Sequence, residues 1–207
     1  MKTFIRKILF TLGIIVVFPL LIPFIITTEK EIIKADVERW QNCLSWEQRP
    51  INIQLLALLK EAKEFRNLYY FRLFKGNFWG RFFMYLLKTI YRECPYFFLD
   101  SSCNIGPGLF IQHGFSTIIM ADMGENCWVN QQVTIGYKDK TGRPKIGDNV
   151  RITAGAKVIG NINIGNNVTV GANAVVIKDV PDNCVVVGVP AYIIKQDGVK
   201  VKLNNAG

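Results

Sequence analysis

The stretch IGDNVRITAGAKVIGNINIGNNVTVGANAVV, residues 146–176, carries Ile or Val at every sixth position: Ile146, Ile152, Val158, Ile164, Val170 and Val176. A free helix repeats every 3.6 residues and a free strand every 2, so neither produces this period. A coil with three short flat faces does, because the same corner of each turn always points inward and must be aliphatic. Self-similarity at a fixed period marks a repeat architecture, and six is the period of the parallel β-helix. The fifth position of each repeat is also small or aliphatic (Val150, Ala156, Ile162, Val168, Ala174) and is expected to fill the interior beside the next corner. Gly commonly follows the inward residue, at 106, 124, 136, 147, 165 and 171. These glycines are expected to supply the unusual backbone angles of tight corners.

Upstream the period continues through Ile105, Ile111, Thr117, Met123, Val129 and Ile135, with one polar lapse at Thr117. Ile135 and Ile146 are eleven residues apart, so residues 136–145 (GYKDKTGRPK) leave the coil. An extra loop in a regular solenoid is where function is expected. The repeat domain therefore runs from 96 to 195, followed by a polar tail, 196–207, expected to fray.

The other half of the chain has no six-residue period. Residues 8–28 (ILFTLGIIVVFPLLIPFIITT) are uncharged, and about 20 apolar residues suffice to cross a bilayer as a helix. Residues 1–28 are thus read as a membrane segment. Lys2, Arg6 and Lys7 precede the run, which places the N-terminus in the cytoplasm. A simple span would put the rest of the chain outside. Pro19 and Pro23 suggest instead a helix-break-helix that dips in and returns, leaving both ends cytoplasmic. Residues 29–95 read as helical. Within them, 65–92 hold six basic residues (Arg66, Arg72, Lys75, Arg81, Lys88, Arg92), eleven aromatics and no acid. Next to a membrane segment this composition suggests an interfacial helix pair on anionic lipid. No nucleic-acid motif accompanies the basic residues, so nucleic acid is not an expected partner.

The chain has 207 residues, a formal net charge of +9, 50% hydrophobic and 20% charged residues, which excludes a disordered chain. Five scattered cysteines (Cys43, Cys94, Cys103, Cys127, Cys184) form no CxxC pair. They suit reduced thiols in a reducing compartment rather than a disulfide framework or a metal site.

Residues 105–195 resemble the hexapeptide-repeat acyltransferases, in their serine acetyltransferase-like branch. The carrying segments are IGPGLFIQHG (105–114), VTIG (133–136), RPKIGDNV (143–150), ITAGAKVIGNINIG (152–165), VGANAVV (170–176) and GVPAYII (188–194). The resemblance implies a left-handed parallel β-helix, so that the fold class is mainly β, with the α-helical, membrane-associated N-terminal region read above from composition. It also implies a homotrimer with sites between subunits, and acetyl-CoA as donor.

The chain has one histidine, His113. An alcohol attacking a thioester needs a base, and imidazole titrates close to working pH. His113 aligns with the general base of the family. The aspartate that orients this base in the family corresponds to Phe98, so Asp100, two residues on, is the candidate orienting acid. By the same resemblance Ala154, Gly155 and Ala172 line the CoA groove, while Lys195 and Lys178 are candidates to meet the CoA phosphates. Residues 136–145 are expected to close over the acceptor and the CoA thiol.

The acceptor is read from departures. The acid that precedes the family's histidine is Gln112 here, and the Arg-His pair before Pro-Lys-Ile reads Gly142 and Arg143. Gln112 and Arg143 are the candidate acceptor-binding residues. With the amino-acid clamp reduced and a membrane segment present, the expected acceptor is a sugar hydroxyl of a surface polysaccharide or lipid-linked glycan at the bacterial inner membrane. Serine, as in cysteine biosynthesis, is the alternative. A non-catalytic trimeric membrane scaffold is the reading from another class.

Overall fold

The structure, a computed structural model, describes residues 2–201. The last six residues of the expected tail, 202–207, and the side chains of Lys2, Arg6 and Lys7 lie outside the described residues. Two compact units divide the chain, Met1–Cys94 and Pro95–Gly207.

The first unit is helical: α1 (Lys2–Val17), a 3-10 turn (Phe18–Leu20), α2 (Leu21–Ile26), α3 (Lys30–Cys43), α4 (Ile51–Glu61), α5 (Lys63–Lys75) and α6 (Phe78–Lys88). Pro19 sits inside the 3-10 turn, where its missing amide breaks the α-helical bonding. The expected break is therefore present, and the six-residue α2 that follows it is about 9 Å long at 1.5 Å per residue.

Eight of the eleven aromatics of residues 65–92 divide between two environments, and Phe74, Phe83 and Tyr91 are half-buried. Phe65, Tyr69, Tyr70 and Phe71 on α5 are core, with Trp40 of α3 edge-on to Phe65 at 5.2 Å. Phe78, Trp79, Phe82 and Tyr85 on α6 are exposed. The basic residues divide too. Arg72 is buried and bidentate on Asp36, at 2.8 and 3.2 Å, and Arg66 is spent on the Leu59 and Arg92 carbonyls. Arg72 is thus withdrawn from the surface that the compositional reading gave it.

The second unit is a three-sided parallel coil. Face 1 stacks β1 (Phe97–Leu99), β3 (Thr117–Ile119), β6 (Thr134–Gly136), β9 (Lys157–Ile159) and β12 (Val175–Val176). Face 2 stacks β4 (Asp122–Met123), β7 (Lys145–Ile146) and β10 (Asn163–Ile164), extended by the bridges Ile105–Met123 and Ile164–Val180. Face 3 stacks β2 (Phe110–Ile111), β5 (Trp128–Val129), β8 (Arg151–Ile152), β11 (Thr169–Val170) and β13 (Cys184–Val187). Inward residues sit above one another, as in Val129 on Ile152 on Val170 on Val186, all at most 1% exposed. The fifth-position residues Val150, Ala156, Val168 and Ala174 are wholly buried between them. Each such side chain contributes about 1.5–3 kcal/mol relative to exposure for Val-sized groups.

Two expectations about the coil are corrected. None of the six glycines at 106, 124, 136, 147, 165 and 171 has a positive φ. A Cβ on Gly106 would meet the Gly124 carbonyl carbon at 2.7 Å, and one on Gly147 the Gly165 carbonyl carbon at 2.9 Å. Close stacking of successive coils, not backbone conformation, demands glycine there. The left-handed corners between faces 2 and 3 are taken instead by Asn126, Asn149, Asn167 and Asn183, a residue type that tolerates this region.

The second correction concerns Thr117. Across faces, Ile119 rather than Thr117 stacks on Ile135. Ile111 to Ile119 is eight residues, Ile119 to Met123 four. One corner has thus gained two residues and the next has lost two, which a six-residue count registers as a polar lapse. The start of the tail expected to fray is ordered: Gln196 ends β14 (Tyr192–Gln196), antiparallel on β13, and β15 (Val199–Lys200) pairs antiparallel with β14.

Candidate active site on one edge of the coil

The two extra residues lie in the corner between faces 3 and 1, residues 112–116, and this corner carries His113. His113 and Ser116 both adopt left-handed φ, 54° and 52°. Such angles cost a non-glycine residue roughly 1 kcal/mol or more and persist where the surroundings enforce them, often at functional sites. The surroundings here are specific. The Phe115 amide donates to the His113 carbonyl at 2.6 Å, and the Gln132 amide to the Phe115 carbonyl at 2.9 Å. The buried Thr117 hydroxyl donates toward the carbonyls of Phe115 and Asn130, both at 3.3 Å. Thr117 thus clamps the long corner to the next coil, which is why a polar residue stands in the interior. The His113 side chain is exposed, and within one chain no side chain bonds its imidazole among the described residues.

Below His113 the same edge descends through 130–132, 153–155 and 171–173, linked by the Gly155 amide on Gln131 and the Asn173 amide on Ala154. Ala154, Gly155 and Ala172 therefore share the histidine's edge, as a file of small residues. At about 4.8 Å per strand, Ala172 lies about 14 Å along the coil axis from His113. Gly155 has φ +74°, and a Cβ there would collide with the Asn173 side chain. No larger residue fits, so the groove stays open.

The coil between base and groove contributes polar groups that spacing did not single out. Asn130 donates to the Gln112 side-chain oxygen at 3.1 Å, which fixes Gln112 beside His113. The Asn130 Oδ1 and Gln131 Oε1 atoms are buried without partners. Lys157 holds the Gln132 carbonyl at 2.7 Å. Orphaned buried acceptors are costly, and they accumulate where a ligand's donors complete them. One signal for them was available: NQQ (130–132) falls one coil after QHG (112–114).

The remaining candidates lie elsewhere on the chain. Asp100, Arg143 and Lys178 all occupy the edge between faces 1 and 2. The Asp100 carboxylate accepts the Ser102 amide at 2.8 Å, closing a turn before the first coil, and makes no bond to His113. Arg143 grips Asp122 through two bonds, 2.7 and 3.2 Å, and also the Ser102 carbonyl and hydroxyl. It is a clasp that ties residues 136–145 back to the coil, with its guanidinium already spent. Burial alone would raise the Asp122 carboxyl, but the Asn104 amide and Arg143 outweigh it and hold it below its ordinary value. The bond to Asp122 correspondingly raises Arg143. Lys178 is exposed beside a small cleft lined by Val180, Pro190 and Tyr192. Lys195 is exposed on β14, paired with Val185 and Lys200. Gly136 and Lys145 stay in the coil as the ends of β6 and β7, and residues 137–144 leave it after face 1, whereas His113 precedes that face, so in one chain the loop springs from a different edge.

Comparison with known proteins agrees with this architecture. Residues 143–178 match the family described as bacterial transferase hexapeptide (six repeats). A serine acetyltransferase of Staphylococcus aureus (strain Mu50) is 50% identical over 108 residues, covering 50% of this chain and 51% of that protein. One from Synechococcus elongatus is 45% identical over 108 residues, covering 50% and 44%. The chain spans about half the length of the curated relatives it matches. Among solved structures, the serine acetyltransferase of Brucella abortus strain S19 has a TM-score of 0.64 and 28% identity, covering 83% of this chain and 70% of that one. That of Neisseria gonorrhoeae in complex with serine has a TM-score of 0.63 and 28% identity, covering 81% and 69%. The coil is accordingly a left-handed β-helix.

These relatives overturn the expected sugar or lipid-linked glycan acceptor, since both sequence and structure lead to serine acetyltransferases. The physical reason is that a neutral amide oxygen also accepts hydrogen bonds from a hydroxyl or an ammonium, so Gln112 in place of an acid does not exclude an amino acid. Residues 143–178 thus carry the bacterial transferase hexapeptide repeat, and about half of the chain is similar in sequence to serine acetyltransferases.

Proposed function

We propose that the chain is an acetyl-CoA-dependent serine O-acetyltransferase with His113 as general base. The observation that carries this reading is the strained, exposed His113 corner standing at the head of a file of small residues. The 50% identity to serine acetyltransferases supports the choice of acceptor.

In the proposed reaction the thioester of acetyl-CoA lies on the edge below His113, with its pantetheine arm against Ala154, Gly155 and Ala172. His113 takes the proton from the serine hydroxyl as that oxygen attacks the acetyl carbonyl. The tetrahedral adduct collapses, the carbon–sulfur bond breaks, and the imidazolium returns the proton to the departing thiolate. The products are O-acetylserine and CoA. Gln112, held by Asn130, offers its side-chain oxygen as an acceptor for the serine ammonium. That no side chain bonds the imidazole among the described residues supports a site completed by a second copy in a homotrimer. Lys195 and Lys178 remain proposals for the CoA phosphates.

Incubating the purified chain with acetyl-CoA and serine tests the proposal. O-acetylserine identified by mass, with equimolar free thiol, is the expected product. Failure to form it from serine, with CoA still bound, overturns serine as acceptor; failure to bind CoA favours a silent scaffold.

A further inference from the structure

The helical unit presents an apolar surface that the transfer reaction does not use. Leu9, Leu12, Ile15, Val16 and Ile25 on α1 and α2 are 54–63% exposed. Phe78, Trp79, Phe82 and Leu86 on α6 are 49–64% exposed. α2 packs on α6, which sets Ile25 beside the α6 row, and α1 leads into α2 through the 3-10 turn. Ile8–Ile26 has a mean hydropathy of 2.8 over 19 residues, apolar and long enough to cross a bilayer, with only 28% of that stretch buried.

The opposite side of the same segment is bound to polar protein. Arg49 and Lys60 lie over the Phe10 ring, at 4.9 and 5.2 Å, and Gly13 is pressed against the Lys60 side chain. Around the proline-broken turn the backbone carbonyls are satisfied from the protein side. Tyr69 donates to Leu20 at 2.6 Å, Tyr91 to Val16 at 2.7 Å and Asn77 to Ile26 at 2.8 Å. A transbilayer helix would carry Arg49, Lys60 and these partners into hydrocarbon, where charged groups are costly. A helix lying in the interface would leave them on the watery side, with its irregular backbone already paired.

We infer that α1, α2 and α6 form a lipid-embedding face by which the chain lies in one leaflet of an anionic bilayer, without spanning it. The rim chemistry selects this occupant. Trp79 and Tyr85 are residue types of the headgroup level, and exposed Lys75 and Arg81 flank them. No acidic residue lies between Phe65 and Arg92. A second copy docked on the same face would bring Arg81 and Lys75 toward their own symmetry mates, which repel. A seat on the cytoplasmic leaflet also keeps the five free cysteines in a reducing compartment.

The test uses the full chain with vesicles of phosphatidylcholine, with and without phosphatidylglycerol. The wild type is expected to sediment with the anionic vesicles. Replacing both Leu12→Asp and Phe82→Asp should weaken partitioning roughly tenfold or more, with helicity and acetyl transfer retained. Arg81→Gln with Lys75→Gln should weaken it only on the anionic vesicles. Tags on the two ends should be accessible from the same side in sealed inner-membrane vesicles. Tags on opposite sides would overturn the inference in favour of a span. No vesicle binding, with Leu12→Asp and Phe82→Asp shifting the solution mass, would overturn it in favour of contact between copies.

Discussion

Two edges of the same coil carry nearly all the polar residues that attract notice in the sequence, and they differ in one physical respect. On the edge between faces 1 and 2, Asp100, Asp122 and Arg143 are consumed by internal bonds to the Ser102 amide, the Asn104 amide and one another. On the edge between faces 3 and 1, His113 stands exposed on a strained backbone, with the orphaned Asn130 and Gln131 oxygens beside it. A polar residue whose bonds close inside the fold maintains shape. One whose bonds remain open awaits a ligand. Chemical type alone would rank Arg143 and Asp100 with His113; bonding separates them.

Substitutions on the two edges should therefore fail differently. The largest effect is expected for His113→Ala, which removes the base and should lower kcat about 10²- to 10⁴-fold while CoA affinity holds; single-turnover kinetics reads this. Gly155→Leu should come next. It forces a side chain into a φ of +74° and against Asn173, and should raise the KM for acetyl-CoA roughly tenfold or more at a cost of about 1–3 kcal/mol in stability. Thr117→Val unties the long corner while keeping its shape in the core. A loss of about 1 kcal/mol in denaturant unfolding is expected, together with a lower kcat. An unchanged kcat would show that the corner does not need the clamp.

The smallest effect belongs to the other edge. Arg143→Gln opens the clasp to Asp122, and should lower stability by about 1 kcal/mol or less without moving the KM for serine. The pH dependence has a definite sign. The folded Asp122 carboxyl lies below its unfolded value. Its contribution is therefore fully present above the ordinary carboxylate range and is lost as pH falls through the depressed folded value. The Asp122→Asn variant should flatten acid unfolding in that window alone.

Much of this contrast was legible beforehand, because a six-residue period is a direct consequence of three-faced coiling. Ile146 to Val176 needed no structure to be stacked. What the sequence could not disclose were compensating length changes. Eight residues followed by four read as one polar lapse, and only the pairing of Ile119 with Ile135 reveals a longer corner built around His113. The corner glycines were found for the wrong reason. Their role depends on the distance to the neighbouring coil, which lies fifteen or more residues away in sequence. The bonds of Arg143 were hidden for a similar cause, since its partner Asp122 is on an adjacent coil. In the helical unit composition counted the charges but not their burial, so Arg72, paired with Asp36, was assigned to a surface it never reaches.

The central claim is that the histidine edge is a transferase site and not a stretch of ordinary coil. It is tested most directly by the initial rate of CoA thiol release as serine is varied, for wild type and His113→Ala from one preparation, with CoA binding measured by calorimetry alongside. The account predicts a saturable serine dependence in the wild type, its near-complete loss in His113→Ala, and CoA affinities of the two proteins alike. Thiol release that ignores serine, or that survives the loss of His113, would contradict it.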